Sequence, residues 1–118
     1  MFLEKLSRIS DRIDGVLALS LVAKDGIAVE SVSSDPDLDL EVLAAELISQ
    51  ARSITENHRE LEVGEVQQFA VTTDRLTLMV SSVAKDYYLL LVLGPEGSYG
   101  RARFELKRAR LLLEQDLS

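Results

Sequence analysis

The chain of 118 residues has no cysteine, one histidine, two prolines and few aromatic residues. Without thiols it builds neither a disulfide framework nor a thiolate metal site, which fits a reducing cytoplasm. A lone histidine leaves too few donors for zinc. His58 falls on or beside the apolar stripe of a predicted helix. A structural or helix-end role there outweighs a catalytic base, which needs a positioned nucleophile or substrate. No run reaches the ~18 consecutive apolar residues of a membrane span. The opening MFLEKLSRIS carries Glu4 and no continuous apolar core, so no signal peptide is expected. Basic residues are in deficit, with 13 Lys and Arg against 20 Asp and Glu and a net charge of −7. Nucleic-acid binding calls for the opposite balance, and for aromatic stacking platforms that are missing here.

Apolar residues make up 47% of the chain, which excludes a disordered polymer and supports one ordinary core. Residues 1–118 are read as a single domain in the cytoplasm. Phe2, Leu6, Ile9 and Ile13 fall on one helical stripe, and Gly15 follows where a left-handed residue ends a helix. VLALSLVA at 16–23 is apolar on both alternating faces, the pattern of a strand covered on both sides. KDG at 24–26 predicts a hairpin turn built on the positive φ angles of Asp-Gly, and 27–33 forms the partner strand.

A helix is predicted from Leu40 to Arg59, with Leu40, Leu43, Ala44, Leu47, Ile48, Ala51 and Ile54 as its apolar face. Its other side carries Val42, Ala45, Ser49, Arg52 and Glu56, and is neither large nor strongly charged. Such residues read either as scattered surface positions or as a face that another helix can approach closely. Three strands follow, 65–73, 76–84 and 87–93, joined by two-residue hairpins. A last helix spans 98–117, with Tyr99, Ala102, Leu106, Ala109 and Leu113 on one stripe. YYLLLVL at 87–93 is again apolar on both faces, so it belongs beside 16–23 in mid-sheet. The predicted fold is α+β, a five-stranded antiparallel sheet of order 2-1-5-4-3 with helices on both faces.

Candidate chemical motifs are weak. Asp35, Asp37, Asp39 and Glu41 alternate as in a calcium loop, but Leu40 stands where its glycine belongs and Glu46 at the place of its last ligand. Solvated loop charges describe them better. GPEGSYGR places glycines ahead of a helix, without the lysine and hydroxyl of a phosphate loop; a chain-reversing turn accounts for it. Arg101, Arg103, Lys107, Arg108 and Arg110 give the last helix basic flanks. Phe104 and Leu111 lie seven apart, opposite its main stripe, so either that helix is gripped on two sides or the pair meets a partner. No catalytic, metal-binding or cofactor-binding residue is expected, and no cofactor.

LEKLSRISDRIDGVLALSLVAKDGIAVES and YYLLLVLGPEGSYGRARFELKRA, taken in order, resemble the roadblock/dynein light chain family, in its bacterial MglB-like single-domain type. The resemblance implies a roadblock/longin/profilin-like sheet with two helices on one face and one on the other. It also implies homodimers that pair third strands edge to edge and second helices side by side, and partners among Ras-like small GTPases. The edge position of 65–73 supplies an independent motive, because FAVTT has no proline or lysine to blunt an open edge. The expected dimer interface is Val66, Gln68, Phe69, Val71, Ala45 and Ser49, and the expected GTPase-facing surface Val42, Arg52, Ser53 and Glu56, with Ala45 and Ser49 open to it as well. Relatives of this type suggest activation by repositioning the GTPase's own residues, so Arg52 is given no catalytic role.

The function expected is a non-enzymatic, homodimeric regulator or scaffold for a Ras-like small GTPase, with GTPase activation in polarity or motility as one form. A second roadblock protein is an alternative partner. The alternative function is a structural dimerisation module of a cytoskeletal or signalling complex with no effect on nucleotide state. A small-molecule sensor or enzyme using an inter-layer pocket is the third reading, disfavoured by the missing acid–base and metal sets.

Overall fold

The computed structural model describes residues 2–117, and within them every side chain except that of His58, whose expected role therefore lies outside the described residues. The elements run α1 (Phe2–Asp11), β1 (Val16–Ala23), β2 (Ala28–Ser33), α2 (Leu40–Arg59), β3 (Gln68–Thr72), β4 (Thr77–Val83), β5 (Tyr87–Leu93) and α3 (Tyr99–Leu117). One antiparallel sheet holds all five strands in the order β2-β1-β5-β4-β3.

The two-sided apolar strands lie side by side at the centre, with Leu19 opposite Leu91 and Leu21 opposite Leu89. Alternation then sends neighbouring side chains into separate cores. Leu19, Leu21, Leu89, Leu91 and Leu93 join Met79, Leu6 and Ile9 of α1, and Leu106 and Leu113 of α3. Ala18, Val22, Leu90 and Val92 pack with Ala44, Leu47 and Ile48 of α2 on the opposite face. Two helices therefore cover one face and one covers the other. Burying each leucine contributes about 1.5–3 kcal/mol, and Leu89, Leu90 and Leu91 in succession are all fully buried. This is why a run too apolar for a surface strand is stable here.

The α2 face of β1 also carries Ser20, fully buried. Its hydroxyl meets that of Ser31 on β2 at 2.7 Å, which satisfies both groups where water is excluded. Ile13 remains buried although α1 ends at Asp11, because Arg12 and Ile13 donate to the carbonyls of Ile9 and Ser10 in tightened turns. At the N-terminus of α2, the Asp39 carboxylate accepts from the Val42 amide at 3.2 Å, a capping bond that sets where the helix begins.

Several expected details change. The left-handed backbone of the β1–β2 turn falls on Gly26 alone, at φ 92°. Strand β3 starts not at 65 but at Gln68, the first residue whose register partner lies on β4, and the chain reaches it through left-handed Glu62 and Gly64. Val66 is consequently outside the strand. On α3, Tyr99 is the first helical residue and exposed, and Glu105 takes a buried place on the stripe.

Candidate interaction surface

Strand β3 bonds to β4 on one side only and forms one margin of the sheet. The Gln67 carbonyl accepts from the Ser82 amide and the Thr73 amide donates to the Leu76 carbonyl, each at 2.8 Å. Odd-numbered residues of this strand therefore bond toward β4. In an antiparallel ladder the alternate residues point the other way, so the backbone groups of Gln68, Ala70 and Thr72 face outward along the open edge. No proline or lysine interrupts the strand.

The strand's side chains divide between the faces. Phe69 is half-buried against the α2 core and Ala70 against the α1/α3 core. Val71 shares the face of Phe69 but is 43% exposed. Gln68 turns to the other face opposite Ser81, and its side-chain amide nitrogen is buried without a hydrogen-bond partner. A buried donor left unpaired is unfavourable by about 1–3 kcal/mol.

Helix α2 presents Ala45, Ser49, Arg52 and Glu56 along one flank, at the spacing i, i+4, i+7, i+11, all exposed. Val42 and Ser53 lie farther outward and are exposed too. The smallness of one contact here is used within the chain itself. A Cβ added to Gly26 would stand 3.6 Å from the Ala45 Cα, so the β1–β2 turn lies directly against α2.

The structure does not gather all of these residues at one spot. Arg52 and Glu56 line a cavity together with Val66, close to the start of β3. Val42 lies fourteen residues before Glu56, about 21 Å along the helix axis, and Ala45 is at the β1–β2 turn. Two exposed side chains were overlooked from sequence, Leu61 at 65% and Val63 at 67% exposure. Both sit on the α2–β3 connection that leads into the edge strand. Their only sequence signal is an apolar pair within an otherwise acidic segment.

Among the described residues no group of three His, Cys, Asp or Glu side chains could hold a metal ion. The acidic loop is organised by its own backbone, with the Asp35 carboxylate accepting from the Asp37 amide at 3.0 Å. Among the described residues no helix is long and apolar enough to cross a membrane.

With this geometry in place, comparisons give a consistent answer. The family model for the Roadblock/LC7 domain matches residues 3–93. No sequence among curated proteins matches the chain. Among solved structures, an MglB with a tetrameric arrangement superposes with a TM-score of 0.85 at 18% identity, over 96% of this chain and 88% of that one. The gliding protein MglB of Thermus thermophilus gives the same TM-score, identity and coverage. MglC from Myxococcus xanthus has 27% identity and a TM-score of 0.72, over 98% of this chain and 99% of that one.

Proposed function

The chain belongs to the Roadblock/LC7 family, and from that premise we propose that it is a homodimeric, non-enzymatic regulator or scaffold of a Ras-like small GTPase in the cytoplasm. Family members are generally regulatory or scaffold proteins. The observation that carries the proposal is the open edge of β3, with outward backbone groups at Gln68, Ala70 and Thr72 and exposed Val71 beside them. An edge of this kind pairs readily with another chain. A two-fold axis perpendicular to the sheet joins two such edges antiparallel and makes one continuous ten-stranded sheet. Because that axis keeps each face on its own side, both α2 helices come to lie on the same face. The tetrameric arrangement named for one MglB structure supports self-association as a habit of this fold.

The GTPase is assigned to the face bearing both α2 helices, with Val42, Arg52, Ser53 and Glu56 as contact residues, and Ala45 and Ser49 lie where the two copies or the GTPase approach. Edge residues Val66, Gln68, Phe69 and Val71 form the dimer contact. A GTPase held there would have its own catalytic residues repositioned, with no group of this chain entering the reaction.

Solution mass and nucleotide-dependent binding test the proposal together. Light scattering should give twice the chain mass, and the dimer should co-elute with a Ras-like GTPase in its GTP state in preference to its GDP state. A monomer overturns the interface. Binding that ignores the nucleotide would instead make the chain a structural dimerisation module.

A further inference from the structure

The chain has a large acidic excess, yet one cavity collects its cations. A hollow of about 560 Å³ between the C-terminal half of α2 and the end of the sheet is lined by five basic side chains and only two acidic ones, Glu56 and Glu65. Four of the basic residues, Lys24, Arg52, Arg59 and Lys85, make no ion pair or side-chain hydrogen bond among the described residues. The fifth, Arg110, is held by Glu114 at 3.1 Å.

These cations come from three separate parts of the fold. Lys24 lies at the β1–β2 turn, Arg52 and Arg59 on α2, and Lys85 at the β4–β5 turn. The two turns are tied together, because the Lys24 amide donates to the Asp86 carbonyl at 2.9 Å. Ala84, just before Lys85, adopts a left-handed φ of 53° that a residue with a side chain seldom takes. Tethered turns and an unusual backbone angle hold two ammonium groups near two guanidinium forks. Like charges gathered this way repel one another, and the two glutamates of the lining offset them only in part, with no ion pair to these four among the described residues.

We propose that this cavity binds an anion carrying two or more phosphate groups. Its volume lies within the roughly 300–1,000 Å³ common for small-ligand sites. Arginine forks and lysine point charges together suit phosphate oxygens. Arg52 and Arg59 sit two helical turns apart, about 10 Å along the axis, which favours a chain or cluster of phosphates over a single small anion. The half-buried rings of Tyr87 and Tyr88 also line the hollow. The phosphates can belong to a free polyphosphate or nucleotide, or to a phosphorylated lipid headgroup.

The test uses the full chain, titrated with sodium tripolyphosphate by calorimetry and by tyrosine fluorescence. A second arm measures co-sedimentation with vesicles containing phosphatidylinositol bisphosphate against vesicles of phosphatidylserine. The expected result is saturable, salt-sensitive binding in at least one arm, and the arm that responds identifies the source. Arg59→Glu with Lys85→Glu should weaken it at least about tenfold, whereas Arg103→Ala with Lys107→Ala, on exposed parts of α3, should leave it unchanged. All four residues are exposed, and melting curves check that each variant is folded. Backbone amide shifts on adding tripolyphosphate should concentrate at residues 24–26 and 84–86. Absence of saturable binding in both arms overturns the proposal, as does equal weakening by the α3 pair. A glutamate-rich peptide of equal charge that binds as tightly as tripolyphosphate would replace it with an acidic protein segment. The lining shares Arg52 and Glu56 with the proposed GTPase contact and Val66 with the dimer contact, so the test changes only Arg59 and Lys85 of the lining, which belong to neither, and is read on the chain without a GTPase; failure here is then distinct from failure there.

Discussion

A Cβ placed on Gly15 would stand 2.5 Å from the Cα of Gly97, closer than real atoms approach. The α1–β1 and β5–α3 connections are thus pressed backbone to backbone, and the Gly94 amide donates to the Gly15 carbonyl at 2.8 Å in the same place. Gly15 also holds φ at 84°. Gly15→Ala combines a left-handed penalty of about 1–2 kcal/mol with a backbone clash of about 1–3 kcal/mol. Urea unfolding should show a loss of about 2–5 kcal/mol on that basis. Gly100→Ala is the control, since no atom lies within 4 Å of its added Cβ and helix propensity favours alanine by up to about 1 kcal/mol. Equal stability of the two variants would show that the two connections are free to move apart.

Glu105 is 1% exposed on α3 and receives Arg101 at 3.3 Å and Arg108 at 3.4 Å through the same carboxylate oxygen. Both arginine side chains are about half exposed, so water screens much of the attraction while the carboxylate bears the desolvation. The Arg108 guanidinium also lies 6.0 Å from the Phe104 ring centre, which positions it without the carboxylate. Glu105→Leu should therefore change stability by less than about 1 kcal/mol, while Glu105→Lys should lower it by about 3–5 kcal/mol by burying an unmatched cation beside two others. Denaturant midpoints at unchanged slope measure both. A large loss for the leucine variant would mean that the two ion pairs are net stabilising.

The interior of the fold was legible because it obeys strong periodicities. Leucines on both faces of 87–93 have one stable location, mid-sheet between helical layers, and this orders the remaining strands. The helix from Leu40 to Arg59 was readable from its apolar stripe, while the Asp39 cap that sets its start emerged only in the structure. The start of β3 was not readable, because Glu65, Val66 and Gln67 read like strand residues while the ladder to β4 begins only at Gln68. Glu105 was hidden by its own chemistry, since carboxylates are seldom buried unless paired, and its pairing arginines looked like surface charge. The cationic hollow was invisible for a topological reason. Lys24, Arg59 and Lys85 are far apart in the chain and meet only once the β1–β2 and β4–β5 turns close on the end of α2. The edge position of β3 followed from strand order, but the exposed Leu61 and Val63 belong to a connection with no periodicity to read.

The two apolar residues of β3 on the α2 face separate folding from association. Phe69 packs into the α2 core, opposite Val80, so Phe69→Asp buries a charge and should unfold the domain along with any dimer. Val71 is opposite Leu78 and 43% exposed, so Val71→Lys keeps the domain folded, with a stability change within about 0.5–1 kcal/mol. If two copies join along β3, two lysines then meet near the two-fold axis on a hydrogen-bonded edge, the device by which natural sheets prevent such pairing. Sedimentation of Val71→Lys should show a folded monomer under conditions where the wild type is a dimer, with dimer partly recovered at high salt as the repulsion is screened. A Val71→Lys dimer as tight as wild type would move the contact elsewhere, with the exposed Leu61 and Val63 as the next positions to change. A wild type that is monomeric at every concentration would leave the edge bare in solution and remove the shared platform on which the GTPase is proposed to sit.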